Sequence, residues 1–139
     1  MVLGIRPTVA TVLGVLSIIF GSWATIINVL SVSMHIRQIE YTPVTSIFGL
    51  MGLGTSVFQV LVGIQLLTNS NRAMSTIKIF LLIGIFGLLG HFVGEILHYG
   101  AAGLIASLLP LLFGLGYYAL IFFLLLKSEP VRSWYNSQS

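Results

Sequence analysis

The sequence predicts an all-α integral membrane protein, a four-helix bundle that occupies residues 1–139 as a single domain. The composition is the first reason: 57% of the residues are hydrophobic, 6% are charged, and the mean hydropathy is +1.07. A soluble domain of this size needs more polar residues to cover its surface. The second reason is that four segments are long enough to cross a bilayer, which takes about 20 residues.

The four predicted spans are joined by short hydrophilic links. They cover approximately residues 8–31, 45–68, 76–99 and 101–127. Links this short place consecutive helices side by side in opposite directions, so we expect an up-down-up-down bundle. The first span follows Arg6 and looks faintly like a signal peptide, but its apolar run is longer than a signal core. We therefore expect an uncleaved first helix.

The basic residues predict how the helices are oriented. Of the six, only Arg37 lies at the end of the predicted bundle away from the chain termini. Since basic residues are enriched on the cytoplasmic side, we expect both termini in the cytoplasm. Each basic residue stands beside an apolar segment, which indicates membrane topology and not nucleic-acid binding. The five at the terminal end are Arg6, Arg72, Lys78, Lys127 and Arg132.

The tail that begins at Ser128 contains two aromatic residues, Trp134 and Tyr135. Residues of this kind are common at membrane–water interfaces. We expect the tail to be a frayed terminus with one interfacial contact, and the alternative is a docking motif.

Each predicted span carries a stripe of small residues along one face. No hydrophobic force drives helices together in lipid, so small residues mark the faces where helix backbones approach closely. We therefore expect all four stripes to point to one tightly packed interior. The glycines of these stripes are Gly14, Gly21, Gly49, Gly52, Gly84, Gly87, Gly94, Gly103 and Gly114.

The third span also carries the polar residues that are most costly to place in lipid. His91, Glu95 and His98 share its small-residue face and lie in the half that is away from the chain termini. Asn28 in the first span reaches the same depth. Ionisable residues within spans usually face protein and often mark a functional site. This cluster is therefore the candidate site.

The favoured interpretation of the cluster is a structural hydrogen-bond network without a cofactor. It would join Asn28, Glu95 and Tyr99 to Arg37 from the link after the first span. Polar contacts of this kind hold helices in register and contribute about 1 kcal/mol each. Proton transfer or contact with a quinone is a further alternative, although the other half of the bundle has no acidic residue to continue a proton path.

Two cofactor hypotheses also remain open. A single metal ion could be held by His91, Glu95 and His98 with help from His35, in one chain or across an oligomer. Haem or another tetrapyrrole could be bound by these three histidines. Because His91 and His98 are about 10 Å apart along one helix, they cannot both ligate the same iron.

The sequence contains no pattern that is typical of an enzyme, so we lean against catalysis. The absence of cysteine excludes disulfides, thiolate metal sites and cysteine nucleophiles. There is no phosphate-binding glycine loop, because Gly49, Gly52 and Gly54 belong to a helix-packing stripe. No serine has a histidine and an acid at a recognisable spacing.

Three short motifs are distributed over the chain: Arg6-Pro7 before an apolar run with Gly14, the Asn71-Arg72 turn, and the closing segment 128–135. Together they resemble small four-span bacterial membrane proteins of uncharacterised function. Such proteins often begin with Arg-Pro and end with proline, valine, a basic residue and an aromatic tail. The resemblance implies a four-helix protein of the bacterial inner membrane and transfers no catalytic residue.

The sequence thus predicts a non-catalytic membrane protein that acts as an accessory or scaffolding subunit of a larger complex, or as a homo-oligomer. Its expected partners are the lipid bilayer and either other membrane subunits or copies of itself. One alternative is a haem- or metal-binding electron-transfer subunit that uses the histidines. A second is a small channel or transporter, for which half of the bundle offers few pore-lining polar groups.

Overall fold

The computed structural model describes the backbone of residues 7–37 and 43–137, and most side chains within them. The side chains of residues 31, 32, 34–37, 43–46, 48 and 49 are outside the description. Over the described ranges the chain is helical and contains no β-strand. The elements are α1 (Thr8–Arg37), α2 (Pro43–Leu67), α3 (Ala73–Tyr99), α4 (Ala101–Ile121), a π-helix (Phe122–Leu126) and α5 (Glu129–Asn136).

Four stretches are long and apolar enough to cross a membrane, which confirms the predicted number of spans. They are Thr8–Leu30, Leu50–Leu67, Ala73–Tyr99 and Ala101–Leu126. The predicted boundaries agree with the helices to within a few residues, except that α1 continues past its predicted end to Arg37. The fold is therefore an all-helical membrane-type architecture.

α1 and α2 pack against each other as an antiparallel pair through small residues. A Cβ atom on Gly63 would come within 2.6 Å of the Gly14 carbonyl oxygen, and one on Gly21 within 2.9 Å of the Val60 nitrogen. Gly14 and Gly21 are seven residues apart, which is about two helical turns, so both lie on the same face of α1. At these positions the two helix backbones are in contact, and a larger residue would push them apart.

α3 and α4 form a second antiparallel pair with a very tight turn. Gly100 has a positive φ of 60°, which a residue with a side chain adopts only with strain, and its N–H donates to the Ile96 carbonyl at 2.8 Å. Just after the turn, Gly103 lies against the Glu95 carbonyl so closely that a Cβ would overlap it. Further along, the Tyr118 ring lies directly over Gly84. Glycine is required at each of these contacts.

The large buried side chains of the described residues are concentrated where residue 7, the turn at 68–72 and α5 meet. We call this the core end, and the opposite end, with the α3–α4 turn, the Gly100 end. Every helical element contributes to the core. Its fully buried large side chains are Val62, Leu66, Ile77, Phe80, Ile121, Leu125, Val131 and Tyr135.

The Gly100 end is packed differently. Among its described residues no large side chain is fully buried, and Leu97 and Ile105 are 81% and 76% exposed. Packing joins α1 to α2, α2 to α3 and α3 to α4, whereas in the described part of the chain α1 and α4 do not pack along their lengths. The expectation of one interior shared by all four small-residue stripes is therefore corrected. The stripes of α1 and α2 pair with each other, since short links make hairpin partners nearest neighbours.

The end of the fourth span is a π-helix that leads into a docked terminal helix. The Lys127 N–H donates to the Phe122 carbonyl at 3.0 Å, the five-residue step of a π-helix. In α5, Val131 and Tyr135 are one helical turn apart and each is only 1% exposed. The Tyr135 hydroxyl donates to the Leu66 carbonyl at 2.6 Å. The expectation of a frayed tail is therefore wrong for residues 129–136.

Candidate functional site

The predicted site residues of α3 lie at the Gly100 end, where the helix is least covered. His91 and His98 are exposed and Glu95 is half-buried. In the described part of the chain, neither the His91 nor the Glu95 side chain forms a hydrogen bond or an ion pair. The His98 ring contacts the neighbouring Tyr99 ring, with the centroids 4.4 Å apart and the planes nearly perpendicular. The three residues thus share a helix face without contacting one another through polar atoms.

The structure does not join the Asn28 or Tyr99 side chain to Glu95 by a hydrogen bond. The Asn28 side chain points to α2, where its Oδ1 lies 3.3 Å from the position that a Cβ on Gly52 would take. Tyr99 is exposed at the end of α3. The side chains of His35 and Arg37 lie outside the described residues. The network remains a prediction for Arg37, and no hydrogen bond forms it between the side chains of Asn28, Glu95 and Tyr99.

The cofactor hypotheses also remain predictions. Among the residues that the structure describes, no group of three histidine, aspartate or glutamate side chains is close enough together to hold a metal ion. A metal site would need His35 or a second copy of the chain to supplement His91, Glu95 and His98. A visible absorption spectrum and metal analysis of the purified protein test both hypotheses, because haem gives a Soret band and a metal site gives stoichiometric metal.

The chemistry that the α3 residues offer is therefore that of an uncovered polar surface. Glu95 lies one helical turn before the end of α3, about 6 Å along the axis, so it is near the edge of the span. A charged group costs about 2.5–3.5 kcal/mol at the centre of a membrane helix and less near its ends. Such a group is stable when it reaches water, a headgroup or a polar side chain of another protein.

A second polar group, which the sequence interpretation did not single out as a site, lies on the core side of the spans. The Gln59 amide on α2 donates to the Tyr117 hydroxyl on α4 at 2.6 Å. The Ser17 side chain on α1 lies beside the Tyr117 hydroxyl. Ser17 is 3% exposed and Gln59 is 9% exposed. One buried polar group thus joins three of the four spans.

The sequence contained a partial signal for this group. Gln59 is one of two glutamines within the second span, and Tyr117 follows the small-residue stripe of the fourth. Their contact depends on a long-range alignment of α2 and α4 that spacing within one helix cannot reveal. The neighbouring Tyr118 ring packs edge-on against Phe80, with centroids 5.6 Å apart. Since the Gln59 N–H and the Tyr117 hydroxyl are paired and lie next to core residues, we expect this polar group to stabilise the packing of α2 against α4.

The core end presents a third set of chemical groups on its outer surface. The Trp134 indole on α5 donates to the Asn69 side-chain oxygen at 3.4 Å, which ties α5 to the turn between α2 and α3. The basic side chains around this contact are exposed. Comparisons of the chain with protein-family models, with curated proteins and with solved structures found no match.

Proposed function

We propose that the chain is a non-catalytic subunit of a larger membrane assembly, or of a homo-oligomer, and that it joins the assembly through the Gly100 ends of α3 and α4. The observation that carries the proposal is the contrast on α3. One face of its core half is buried by other elements, whereas its Gly100 half presents the side chains of His91 and Glu95 with no polar partner in the described residues.

Polar groups on a membrane helix are stabilised by contact with protein. Between helices in lipid, hydrogen bonds and close packing supply the association energy, and each polar contact contributes about 1 kcal/mol. A partner helix beside α3 could bond to Glu95 and cover the exposed Leu97 at the same time. Both contributions favour association over exposure of the same groups.

The surface of α4 supports close approach at the same end. Gly103 and Ser107 face α3 and are buried, whereas Ala102 and Ala106 lie on exposed faces of the helix. Small residues let a second backbone come close enough for strong van der Waals contact. Ile105 and Leu109, which lie next to Ala106 on α4, are 76% and 62% exposed, so a partner would meet a small residue flanked by apolar side chains.

The proposal includes an orientation in a bacterial inner membrane, with both termini in the cytoplasm. Its support is the distribution of basic residues, since Arg72, Lys78, Lys127 and Arg132 all lie at the core end. A reporter enzyme fused after Ser139 should behave as cytoplasmic. Activity of a reporter that works only outside the cytoplasm would contradict this orientation.

Native extraction tests the proposal directly. The protein is purified from its own membranes in a mild detergent or a polymer nanodisc, and its mass is measured by native mass spectrometry. We expect a species larger than the 15.1 kDa chain, composed either of several copies or of this chain with other membrane proteins. A stable lone monomer under these conditions would count heavily against an accessory or scaffolding role.

A matched pair of variants locates the contact. Ala106→Trp places a bulky ring on the exposed face of α4 at the Gly100 end, and Ala119→Trp places the same ring on an exposed position near the core end. Both alanines are exposed, so neither change should unfold the isolated chain. We expect Ala106→Trp to reduce the amount of complex and Ala119→Trp to leave it unchanged. An equal effect of the two variants would argue against the proposed surface.

A further inference from the structure

We infer that the core end binds the headgroups of anionic phospholipids on a surface formed by α5, the turn at 68–72, the start of α3 and the link at 127–128. The surface, which we call the α5 surface, contains four basic side chains. They are Arg72, Lys78, Lys127 and Arg132. This inference is independent of the assembly proposed above, because it concerns the opposite end of the molecule and a lipid ligand.

The charge of the α5 surface is strongly one-sided. All lysine and arginine side chains that the structure describes lie there and are exposed, and the only acidic side chain beside them is Glu129. Within the described residues these four cations form no ion pair. The Lys127 ammonium lies over the Phe122 ring, 5.7 Å from the ring centroid. The surface therefore offers several unneutralised positive charges to an external anion.

The depth of these residues matches that of lipid phosphates. Arg72 directly precedes the span Ala73–Tyr99, and Lys127 directly follows the span Ala101–Leu126. Both therefore lie at the rim of the hydrocarbon layer. Lys78 lies within the first two turns of α3, from where a flexible lysine side chain extends its ammonium back to the interface. At this depth the phospholipid headgroups are the anions present at high concentration.

α5 is held in place by the core. Its residues therefore lose less conformational entropy when they bind a lipid headgroup. Val131 and Tyr135 anchor one face in the core, and the bond between Trp134 and Asn69 joins α5 to the turn that also carries Arg72. The guanidinium groups of Arg72 and Arg132 thus belong to two elements that are tied together. The indole of Trp134 suits the headgroup region because it has an apolar body and a polar N–H.

The outward face of α5 has the chemistry that a phosphodiester requires. It forms a shallow depression lined by Glu129, Pro130, Arg132, Ser133 and Asn136. A planar guanidinium can donate two parallel hydrogen bonds to phosphate oxygens. Phosphatidylglycerol has no cation of its own, whereas phosphatidylcholine neutralises its phosphate internally. Each basic residue near an anionic surface contributes about 1 kcal/mol, which corresponds to about a fivefold change in affinity.

The experiment measures stabilisation by defined lipids. The full chain is purified in a non-ionic detergent, and its thermal unfolding is followed while phosphatidylglycerol or phosphatidylcholine is added. We expect phosphatidylglycerol to raise the unfolding temperature in a saturable and salt-sensitive manner, and phosphatidylcholine to have a much smaller effect. Each lost charge should weaken lipid binding about fivefold. For the variant with both Arg72→Gln and Arg132→Gln, the phosphatidylglycerol concentration that gives half of the maximal temperature rise should therefore increase more than tenfold.

Glu129→Gln is the matched control, since it removes a charge of the opposite sign from the same face of α5. We expect it to keep or increase the response to phosphatidylglycerol. Equal effects of the two lipids, or an unchanged response in the double arginine variant, would overturn the inference. It would also be overturned if Glu129→Gln weakened the response as much as the arginine changes. The loss would then come from disturbance of α5 and not from the removal of positive charge. A third result would assign the surface to a protein partner instead. In that case the wild type shows no response to phosphatidylglycerol, and an acidic protein that co-purifies with the wild type is lost from the double arginine variant.

Discussion

The two ends of the molecule differ in how they are held together. At the core end, large side chains from every element interdigitate, and the polar atoms of Gln59, Tyr117 and Tyr135 have partners. At the Gly100 end, α4 meets α3 through Gly103 against the Glu95 carbonyl, and the Glu95 side chain has no polar partner in the described residues. The comparison indicates that one end carries the stability of the fold and the other remains available for contacts.

The difference follows from the residue types at each end. A glycine contact such as that between Gly103 and the Glu95 carbonyl brings two backbones together but leaves no side chain to reach a third helix. Large side chains such as Phe80 and Leu125 extend far enough to be shared by several helices. Since van der Waals packing is a main source of stability between helices in lipid, the end with shared side chains is the more stable.

The largest difference in stability is expected when a tyrosine side chain is removed at each of the two ends. Tyr135→Ala deletes a buried ring and its bond to the Leu66 carbonyl, so it should lower the free energy of unfolding by about 3–5 kcal/mol. Tyr99 is 59% exposed at the Gly100 end, and Tyr99→Ala should change stability by less than about 0.5 kcal/mol. Reversible unfolding in mixed detergent micelles measures both. Similar losses for the two variants would remove the distinction between the ends.

A smaller effect is expected from adding one methyl group within α2. Gly63→Ala would place its Cβ 2.6 Å from the Gly14 carbonyl oxygen and 3.0 Å from the Ile18 nitrogen, and backbone atoms cannot easily move aside. We expect a destabilisation of about 1–3 kcal/mol. Gly54→Ala is the control, because no atom lies within 4 Å of the position that its methyl group would take, and it should be neutral or slightly stabilising. If both substitutions were neutral, α1 and α2 would not be in close backbone contact at Gly63.

The smallest effect is expected for the hydrogen bond between α2 and α4. A double-mutant cycle with Gln59→Leu and Tyr117→Phe should give a coupling energy of about 0.6 kcal/mol, the average for polar contacts between membrane helices, and at most about 1.7 kcal/mol. A cycle that pairs Gln59→Leu with Tyr118→Phe should give a value near zero. The same unfolding measurement serves for both cycles. Absence of coupling in the first cycle would mean that this bond does not contribute to closure of the helices.

Much of the fold could be predicted because its signals are local. Span number and approximate boundaries follow from runs of apolar residues, and antiparallel pairing follows from the short links. The glycine at the α3–α4 turn is also a local signal, because so short a link between two helices allows few backbone conformations at Gly100. These features depend only on neighbouring residues, and the sequence contains all of them.

The parts that could not be predicted depend on contacts between distant residues. The docking of α5 requires Tyr135 to meet the Leu66 carbonyl, and the buried polar group requires Tyr117 to face Gln59. Helical periodicity gives the face on which a residue lies but not which helix it contacts. The same limit explains why the sequence predicts Asn28 beside Glu95, whereas its side chain is directed to Gly52 on α2.

Site-specific photocrosslinking in native membranes tests the functional division of the two ends most directly. A photoreactive amino acid is placed at Leu97 at the Gly100 end and, as a control, at Phe123 near the core end, where the side chains are 81% and 64% exposed. We predict a discrete protein adduct from position 97 and only lipid adducts from position 123. Protein adducts of equal yield at both positions, or none at position 97, would contradict the assignment of the Gly100 end as the contact surface.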